Sequence, residues 1–257
     1  MSDLPKSVRI IGMKPEQIGH LHPITQTIRE IYSIFYDMGF EVAQGPELEY
    51  EYYNFDALNI PADHPSRDMQ DTFWVKENVS KNPTKGPLGQ NLGKRLLTTQ
   101  TSAVQIRFME THKPPFRVFV PGKIFRNEAT DATHESQFYQ IEGLLVEKNV
   151  SLAHLKGTLE HVFKKLFGEE CEIRFRPSYF PFVEPGIEID IKWKDRWLEV
   201  IGAGLVHPEV LCIGGLNPEE WQGFAFAFGV DRIAMLKFGI DDIRFLYNGD
   251  LRLINQF

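Results

Sequence analysis

The sequence predicts an α+β fold, in which an antiparallel sheet is flanked by helices. Several strand-like segments follow one another and are joined by turns short enough for hairpins. The helical segments cluster in a few places and do not alternate with the strands, so a parallel β–α–β sheet is not expected. No repeat or low-complexity segment divides the chain, and we therefore expect a single domain over residues 1–257.

Three segments have the periodicity and the end signals of helices: 22–40, 101–111 and 151–168. The first has an apolar stripe that ends at a glycine. The second opens with a Thr–Ser cap, and the third runs from Ser151 as its N-cap to Gly168 as its stop.

The strand-like segments are bounded by turn residues. One of them, 223–240, continues into a helix, and an extended segment at 41–49 is broken by Pro46. The stretch 76–94 is rich in Lys, Asn, Gly and Pro and is interpreted as a surface loop within the domain. The other predicted strands are 71–75, 95–100, 116–120, 144–146, 172–182, 187–193 and 197–204.

The composition excludes several classes of function. A net charge of −7 argues against a protein that coats nucleic acid without sequence preference, although one local basic patch remains compatible with it. The two cysteines, Cys171 and Cys212, allow neither a disulfide framework nor a Cys-based zinc site, which favours a reducing, cytoplasmic compartment. The longest uncharged apolar stretch, 221–230, is far too short to cross a bilayer, so no membrane association is expected.

Familiar nucleotide-binding and metal-binding motifs are missing. In "GPLGQNLGKR" (86–95) the glycine spacing and the residue after the lysine both differ from those of a phosphate loop. His20 with His22, and His154 with His161, lack a carboxylate or cysteine at ligand spacing and are interpreted as solvated or capping residues. Any nucleotide chemistry would need a different kind of cradle.

Residues 125–143, "FRNEATDATHESQFYQIEG", form a long charged connection between two apolar strands. Arg126 comes at the end of the first strand, where its planar fork can bind a phosphate. Glu128 and His134 lie in the loop. Glu128 can accept a hydrogen bond from an amine, and His134 can donate one to a phosphate. A solvent-exposed hairpin whose charges pair with one another would explain the same residues.

The returning strand places Phe138, Gln140 and Glu142 at alternate positions, so their side chains share one face. A flat aromatic ring beside two polar groups suits a planar base next to an ammonium group. This face is a candidate binding surface.

A second candidate element is "GFAFAFGVDRIAML", 223–236. Small residues alternate along its strand, which leaves room for a ligand against the sheet. Arg232, in the first turn of the following helix, adds a second cation for a polyphosphate. Tight packing between helix and sheet would explain the small residues equally well. These residues are Gly223, Ala225, Ala227 and Gly229.

Together these elements resemble the class II aminoacyl-tRNA synthetases. "FRNE" and the phenylalanine that follows are similar to motif 2 of that family, "GVDR" after its Gly-rich strand is similar to motif 3, and residues 22–49 look like motif 1. A closer resemblance, over residues 18–257, is to the alpha subunits of bacterial phenylalanine–tRNA ligases. It rests on "GHLHPITQTIREI", "NFDALNIPADHPSRDMQDTFW", "DATHESQFYQIEG", "RPSYFPFVEPG", "GAGLVHPEVL" and "FGIDDIR".

The resemblance implies an antiparallel sheet flanked by helices and a two-step reaction. Phenylalanine and ATP give phenylalanyl-adenylate and pyrophosphate, and the acyl group then passes to a ribose hydroxyl of the terminal adenosine of tRNA(Phe). Arg126 would hold the α-phosphate, Glu128 the adenine amine and His134 the outer phosphates. Phe138 would stack on adenine, while Arg232 would close its other face and reach the γ-phosphate. Arg126 and Arg232 are thus the implied catalytic residues.

For the amino acid, the resemblance implies that Gln140 and Glu142 bind the ammonium group, with Gln100 and Ser102 near the same end. The substrate ring would lie in a pocket of four residues. Phe180 and Phe182 would pack edge-on against the ring, and Ala225 and Ala227 would form the pocket floor.

The resemblance also implies partners and a metal. Glu184 matches a position that binds Mg²⁺ shared with a beta subunit, and the assembly would be a heterotetramer of two alpha and two beta subunits. The family usually has Gly at position 227 and Glu at position 231, where this chain has Ala227 and Asp231. Its alpha subunits carry an N-terminal helical arm that contacts tRNA. With 1–17 as a lead-in segment and no such arm in this sequence, we expect weaker tRNA binding.

Two other functions remain compatible with the sequence. A free-standing paralog could activate an amino acid for an acceptor other than tRNA. A non-catalytic protein could keep the fold for binding alone, although such a protein would have no reason to keep Arg126 and Arg232 together with Glu128 and Phe138.

Overall fold

The computed structural model describes residues 19–68, 71–76, 84–193 and 195–257. The predicted lead-in segment 1–17 and part of the predicted surface loop lie outside the described residues. No helix within the described ranges is both long enough and apolar enough to cross a membrane.

A sheet of seven strands forms the centre of the described structure, in the order β1-β4-β5-β9-β8-β7-β6. The edge strand β1 runs parallel to β4, and the other neighbours are antiparallel. The strands of this sheet are β1 (Glu41–Val42), β4 (Phe116–Phe125), β5 (Gln137–Glu147), β6 (Ile173–Phe180), β7 (Val183–Trp193), β8 (Arg196–Val206) and β9 (Gln222–Gly229). A separate antiparallel pair consists of β2 (Leu48–Tyr50) and β3 (Arg95–Leu97).

The helices lie on both faces of the sheet, and the predicted N-cap Ser151 is confirmed. The ring of His22 accepts from the Ile24 N–H at the start of α1, and Ser151 forms a capping box with His154 at the start of α4. These histidines are confirmed as capping residues. The helices are α1 (Pro23–Asp37), α2 (Glu51–Asn54), α3 (Ala103–Thr111), α4 (Leu152–Phe167), α5 (Pro208–Ile213), α6 (Val230–Phe238) and α7 (Leu251–Ile254).

One face of the sheet carries large apolar side chains and packs against α1, α4 and α6. Successive residues of a strand point to opposite faces, so the three phenylalanines of β9, Phe224, Phe226 and Phe228, all point to this side. The ring of Phe35 on α1 stacks on that of Phe226 at a centroid distance of 5.5 Å. This layer is the larger of the two apolar cores.

The opposite face is only partly covered. A second apolar cluster joins α3 and α5 to one end of the sheet and includes Leu144 of β5 and Ala225 of β9. Further along the same strands, Gln140 and Glu142 of β5 lie beside Gly229 and Ala227 of β9. This part of the face forms the floor of a cavity.

The predicted α+β fold is confirmed, as are the three predicted helices and the strand that runs into α6. Two local predictions are wrong. Residues 71–75 form no strand but a single bridge between Trp74 and Leu96, because the neighbouring β3 is only three residues long. The hydroxyl of Ser102 does not cap α3, because the Ser102 backbone is itself helical and its hydroxyl is turned toward the side chain of Glu142, to which it donates.

The close packing between β5 and β9 predicts the effect of a single methyl group. Gly143 lies beside Phe226, and a Cβ atom at position 143 would collide with that buried ring. Gly143→Ala should therefore lower the free energy of unfolding by about 1 to 3 kcal/mol, as overpacking of a core does. Chemical denaturation measures this value.

Gly157→Ala is the matched control. Gly157 lies in the exposed surface of α4, where an added Cβ has nothing within 4 Å. Alanine is the better helix former, so this variant should gain about 0.5 to 1 kcal/mol. Equal stabilities of the two variants would show that the contact between Gly143 and Phe226 is not tight.

Candidate active site

A cavity of about 450 Å³ opens on the uncovered part of this second face of the sheet. Its walls come from β5, β8 and β9, from the start of α6 and from the loop that joins β4 to β5. Of the predicted site residues, Glu184 alone does not line it. The predicted residues that do are Gln100, Ser102, Arg126, Glu128, His134, Phe138, Gln140, Glu142, Phe180, Phe182, Ala225, Ala227 and Arg232.

Glu142 occupies the inner end of the cavity and is 2% exposed. Its carboxylate accepts from the hydroxyls of Ser102 and Thr101, at 2.5 and 3.4 Å, and from the side-chain amides of Gln140, at 3.3 Å, and Gln105. All four donors are neutral. Among the described residues, no Lys, Arg or His forms an ion pair with it.

The burial of Glu142 raises the pKa of its carboxyl group from 4.5 to about 7, although the hydrogen bonds from its neighbours oppose this shift. A buried carboxylate is normally paired with a cation, because neutral donors replace only part of its lost hydration. The site therefore has the electrostatic character of a receptor for a cationic group.

The floor of the cavity is built of small residues in register. Glu142 pairs with Ala227, which pairs with Gly202 of β8; two residues further along, Ala225 pairs with Gly204. The ring of Phe180 lies over this floor, since a Cβ at Gly202 would come within 3.0 Å of its Cζ. Phe180 is also stacked on Phe182, with ring centroids 5.9 Å apart. A flat apolar slot thus lies next to the buried carboxylate.

The outer part of the cavity carries the cations. The guanidinium of Arg126 lies 5.2 Å from the ring centroid of Phe138, and its Nη1 lies 3.9 Å from the carboxylate of Glu128. Burial lowers the pKa of the Arg126 guanidinium, because it penalises the charged form. The negative charges of Glu128 and Asp71 oppose this effect. Arg232, at the start of α6, donates from Nη1 to the Glu199 carbonyl at 3.0 Å.

The loop residue His134 and the strand-flanking residue Gln100 both make protein contacts within the cavity wall. Nδ1 of His134 lies 3.0 Å from the carboxylate of Asp131, so its Nε2 remains available to a ligand. The side-chain amide of Gln100 donates to the backbone carbonyl of Asn54 at 3.1 Å.

Glu184 lies outside the cavity. Its side chain is 73% exposed, and its carboxylate is 3.4 Å from Nε2 of His207. Within the described residues, no group of three or more His, Cys, Asp or Glu side chains could hold a metal ion.

The sequence analysis assigned no role to two residues of this site: Gln105, which donates to Glu142 from behind the cavity wall, and Asp231, which lines the cavity. A signal for Gln105 was present, because it follows Ser102 by three residues and so shares its face of the helix. No comparable signal marked Asp231, whose partner Tyr139 N–H lies 92 residues away.

Comparisons with known proteins point to one family. The family model of the tRNA synthetases class II core domain (F) matches residues 8–257. The chain is 49% identical to the phenylalanine–tRNA ligase alpha subunit of Bacillus subtilis, over 95% of this chain and 70% of the relative. It is also 49% identical to the corresponding subunit of Synechocystis sp., over 93% of this chain and 67% of the relative.

Among solved structures, the pyrrolysyl-tRNA synthetase of Desulfitobacterium hafniense has a similar fold. The TM-score is 0.66 at 15% sequence identity, over 89% of this chain and 74% of that chain. At this identity the likeness concerns the fold alone. The family match and the relatives go further: the chain belongs to the class II tRNA synthetase core-domain family, in the branch that includes the phenylalanine–tRNA ligase alpha subunits.

Proposed function

We propose that this chain activates phenylalanine with ATP and transfers it to tRNA(Phe), as the catalytic alpha subunit of a phenylalanine–tRNA ligase. The single observation that carries the proposal is Glu142, a buried carboxylate with neutral donors beside an apolar slot. The ammonium group of an amino acid would supply the missing cation, and an aromatic side chain would fill the slot under Phe180. The relatives support the same substrate, since they are phenylalanine–tRNA ligase alpha subunits.

In the first step, a carboxylate oxygen of phenylalanine attacks the α-phosphorus of ATP. An oxygen–phosphorus bond forms, and the bond to the bridging oxygen breaks as pyrophosphate leaves. Arg126 would hold the α-phosphate with its fork and stabilise the charge that grows on its oxygens. Arg232 and His134 would hold the outer phosphates, while Phe138 and Glu128 would bind adenine through its ring and its amine.

The chain's remaining role in this step is to hold the amino acid. Glu142 and Gln140 would bind the ammonium group, with Ser102 and Gln100 near the same end. Such fixed geometry replaces the entropy loss that two free reactants would suffer. In the second step, a ribose hydroxyl of the tRNA attacks the acyl carbon, and AMP leaves.

We further propose residues 1–257 as a single catalytic domain that works in a heterotetramer of two alpha and two beta subunits. Class II synthetases generally depend on Mg²⁺, and Glu184 is the proposed ligand of an ion shared with the beta subunit. The described part of this chain contains no complete ligand set, so Glu184 would need oxygen ligands from the partner. Light scattering of this chain co-expressed with a beta subunit would test the assembly, and an isolated monomer would contradict it.

Amino-acid-dependent pyrophosphate exchange tests the function, with this chain alone and co-expressed with a beta subunit. Phenylalanine should support exchange and the other amino acids should not. Arg126→Ala should lower kcat by about a hundredfold to a thousandfold, the usual effect of losing one transition-state donor. Arg126→Lys should recover little of the lost kcat, because lysine lacks the bidentate fork. Absence of phenylalanine-dependent exchange in both preparations would overturn the proposal.

The raised pKa of Glu142 predicts that wild type and a Glu142→Gln variant respond differently to pH in their stability. Its pKa is raised on folding, so the folded chain keeps the proton after the unfolded chain has lost it, and stability is lost as the pH rises from 4.5 to about 7. Glu142→Gln removes this loss. The stability of the variant relative to wild type should therefore increase by about 2 to 3 kcal/mol between pH 5 and pH 8. Denaturation at the two pH values measures it.

The same variant should lose function. Its Michaelis constant for phenylalanine should rise at least about tenfold, because a neutral amide binds an ammonium group less well than a carboxylate does. Glu160→Gln, on the exposed side of α4, is the control and should change neither quantity. A Glu142→Gln variant with unchanged phenylalanine affinity would remove this residue from the ammonium site.

The two alanines of the pocket floor should differ in their effect on specificity. Ala227 lies opposite Glu142, at the ammonium end, whereas Ala225 lies two residues further along the strand and is buried. Ala225→Gly should therefore admit para-chlorophenylalanine about tenfold better, a gain of about 1.4 kcal/mol. Ala227→Gly serves as the matched control and should not. Exchange rates with phenylalanine and its para-chloro analogue measure both, and equal effects would refute this orientation of the substrate.

A further inference from the structure

A second buried carboxylate lies at the junction of β9 and α6, next to Arg232. Asp231 is 1% exposed, and its carboxylate accepts from the backbone N–H of Tyr139 at 2.8 Å and from the hydroxyl of Tyr247. No ion pair involving Asp231 occurs among the described residues. Burial raises the pKa of this carboxyl group to about 6, against the effect of the two hydrogen bonds. Burial of this carboxylate destabilises the fold, and its hydrogen-bond partners give the reason that it is buried.

The bond from Tyr139 shows what Asp231 does for the sheet. The pairing between β5 and β9 ends at Gln140, which lies opposite Gly229 at the C-terminal end of β9. Tyr139 comes one residue beyond that pair, where the chain after Gly229 has already turned into α6. The Asp231 side chain accepts the hydrogen bond that a longer β9 would have accepted. It thereby joins the start of α6 to the part of β5 that carries Phe138.

The bond from Tyr247 joins the same carboxylate to the C-terminal segment. Tyr247 directly follows a 3₁₀ turn, Ile243–Leu246, whose first N–H donates to the carbonyl of Ala132 at 2.9 Å. The carbonyl of Leu246 also lies 3.0 Å from Nε2 of His22. Ile243 itself lines the cavity. The 3₁₀ turn therefore connects Asp231 to the loop between β4 and β5.

That loop is held together by hydrogen bonds of its own. Its ends are tied by the bond from the Arg126 N–H to the Ser136 carbonyl at 2.9 Å. The carboxylate of Asp131 accepts from the N–H groups of Thr133, at 2.6 Å, and of His134, at 2.8 Å. Because these bonds connect His134 to the rest of the loop, the contact of Ala132 with the 3₁₀ turn contributes to the position of His134 relative to Arg232.

We propose that Asp231 and Tyr247 are positioning residues for the polyphosphate of ATP. Through them, three separate segments meet at one carboxylate: β5, the start of α6 and the C-terminal 3₁₀ turn that holds the loop. The arrangement keeps His134 on the loop and Arg232 on the helix converging on the outer phosphates. The proposal rests on the proposed use of ATP, but the coupling between Tyr247 and the loop can be measured without catalysis.

Tyr247→Phe tests the coupling, since it removes one oxygen atom and keeps the ring. Amide hydrogen exchange, measured without substrates, should become about tenfold faster in the loop segment 127–136 and at the Tyr139 amide. Tyr179→Phe is the matched control, because the Tyr179 side chain is 82% exposed on edge strand β6. It should leave exchange unchanged. Wild-type exchange in the loop of Tyr247→Phe would overturn the proposal whether or not the protein is active.

Kinetics separates a positioning role from a general loss of stability. In Tyr247→Phe the Michaelis constant for ATP should rise about tenfold, equivalent to about 1.4 kcal/mol. The Michaelis constant for phenylalanine should stay within about twofold of the wild-type value, because other contacts hold Glu142 and the aromatic slot in place. Equal rises for both substrates would overturn the positioning role. If the wild-type chain shows no phenylalanine-dependent exchange while the loop still loosens in the variant, the proposed function fails and the coupling stands.

A second pair of variants guards against a disruptive change at Tyr247. Asp231→Asn keeps the size of the side chain but halves its capacity to accept hydrogen bonds. It should reproduce both the faster amide exchange in the loop and the higher Michaelis constant for ATP. Asp231→Glu restores the carboxylate and should recover at least half of the lost ATP affinity. Failure of the glutamate variant to perform better than the asparagine variant would count against the carboxylate as the meeting point.

Discussion

The alternation of large and small side chains along β9 is the constraint on which the rest of this structure depends. Phe224, Phe226 and Phe228 fill the core beneath the helices, whereas Ala225 and Ala227 leave space on the other face. A strand has only two faces, so one sequence pattern fills the core and opens the cavity together. A shift of one residue in register would exchange the two faces and destroy both. The close contact between Gly143 and Phe226 opposes such a shift.

Two carboxylates within this cavity are buried without a cation from the described part of the chain. Glu142 lies at the inner end and Asp231 at the outer end. Both have a raised pKa, so at neutral pH each charge reduces the stability of the fold. Sites that serve function often accept such a cost. The two groups differ in what relieves it: a ligand's ammonium group would relieve Glu142, whereas backbone and tyrosine donors partly relieve Asp231.

The cavity combines a rigid floor with a loop held from outside the sheet. The floor residues belong to long paired strands, whose hydrogen bonds keep the apolar slot in shape. The loop from Arg126 to Ser136 has its own internal bonds and meets the rest of the fold through contacts such as Ala132 with Ile243. This division matches the chemistry proposed here, because an aromatic ring needs a fixed slot while a polyphosphate needs groups from several segments.

The sequence by itself determined whatever depends on neighbours along the chain. Period-two alternation, helix caps and the glycine stop are local signals, and they determined the α+β class, the main helices and the small-residue stripe before Arg232. The two wrong local predictions have one cause. Whether residues 71–75 pair as a strand depends on the length of β3, and where the Ser102 hydroxyl donates depends on β5.

Only the tertiary structure decided which distant segments share a carboxylate. Ser102 and Gln105 reach Glu142 across 40 and 37 residues of chain, and Tyr139 reaches Asp231 across 92. The resemblance to a known family named about half of the residues that line the cavity, but no local pattern marked Asp231 as a partner of Tyr247. The reason is physical: a hydrogen bond between distant segments exists only after packing has brought them together. The hydrophobic effect that drives packing is non-directional, so an apolar pattern shows which face of a segment is buried but not which distant segment will pack against it.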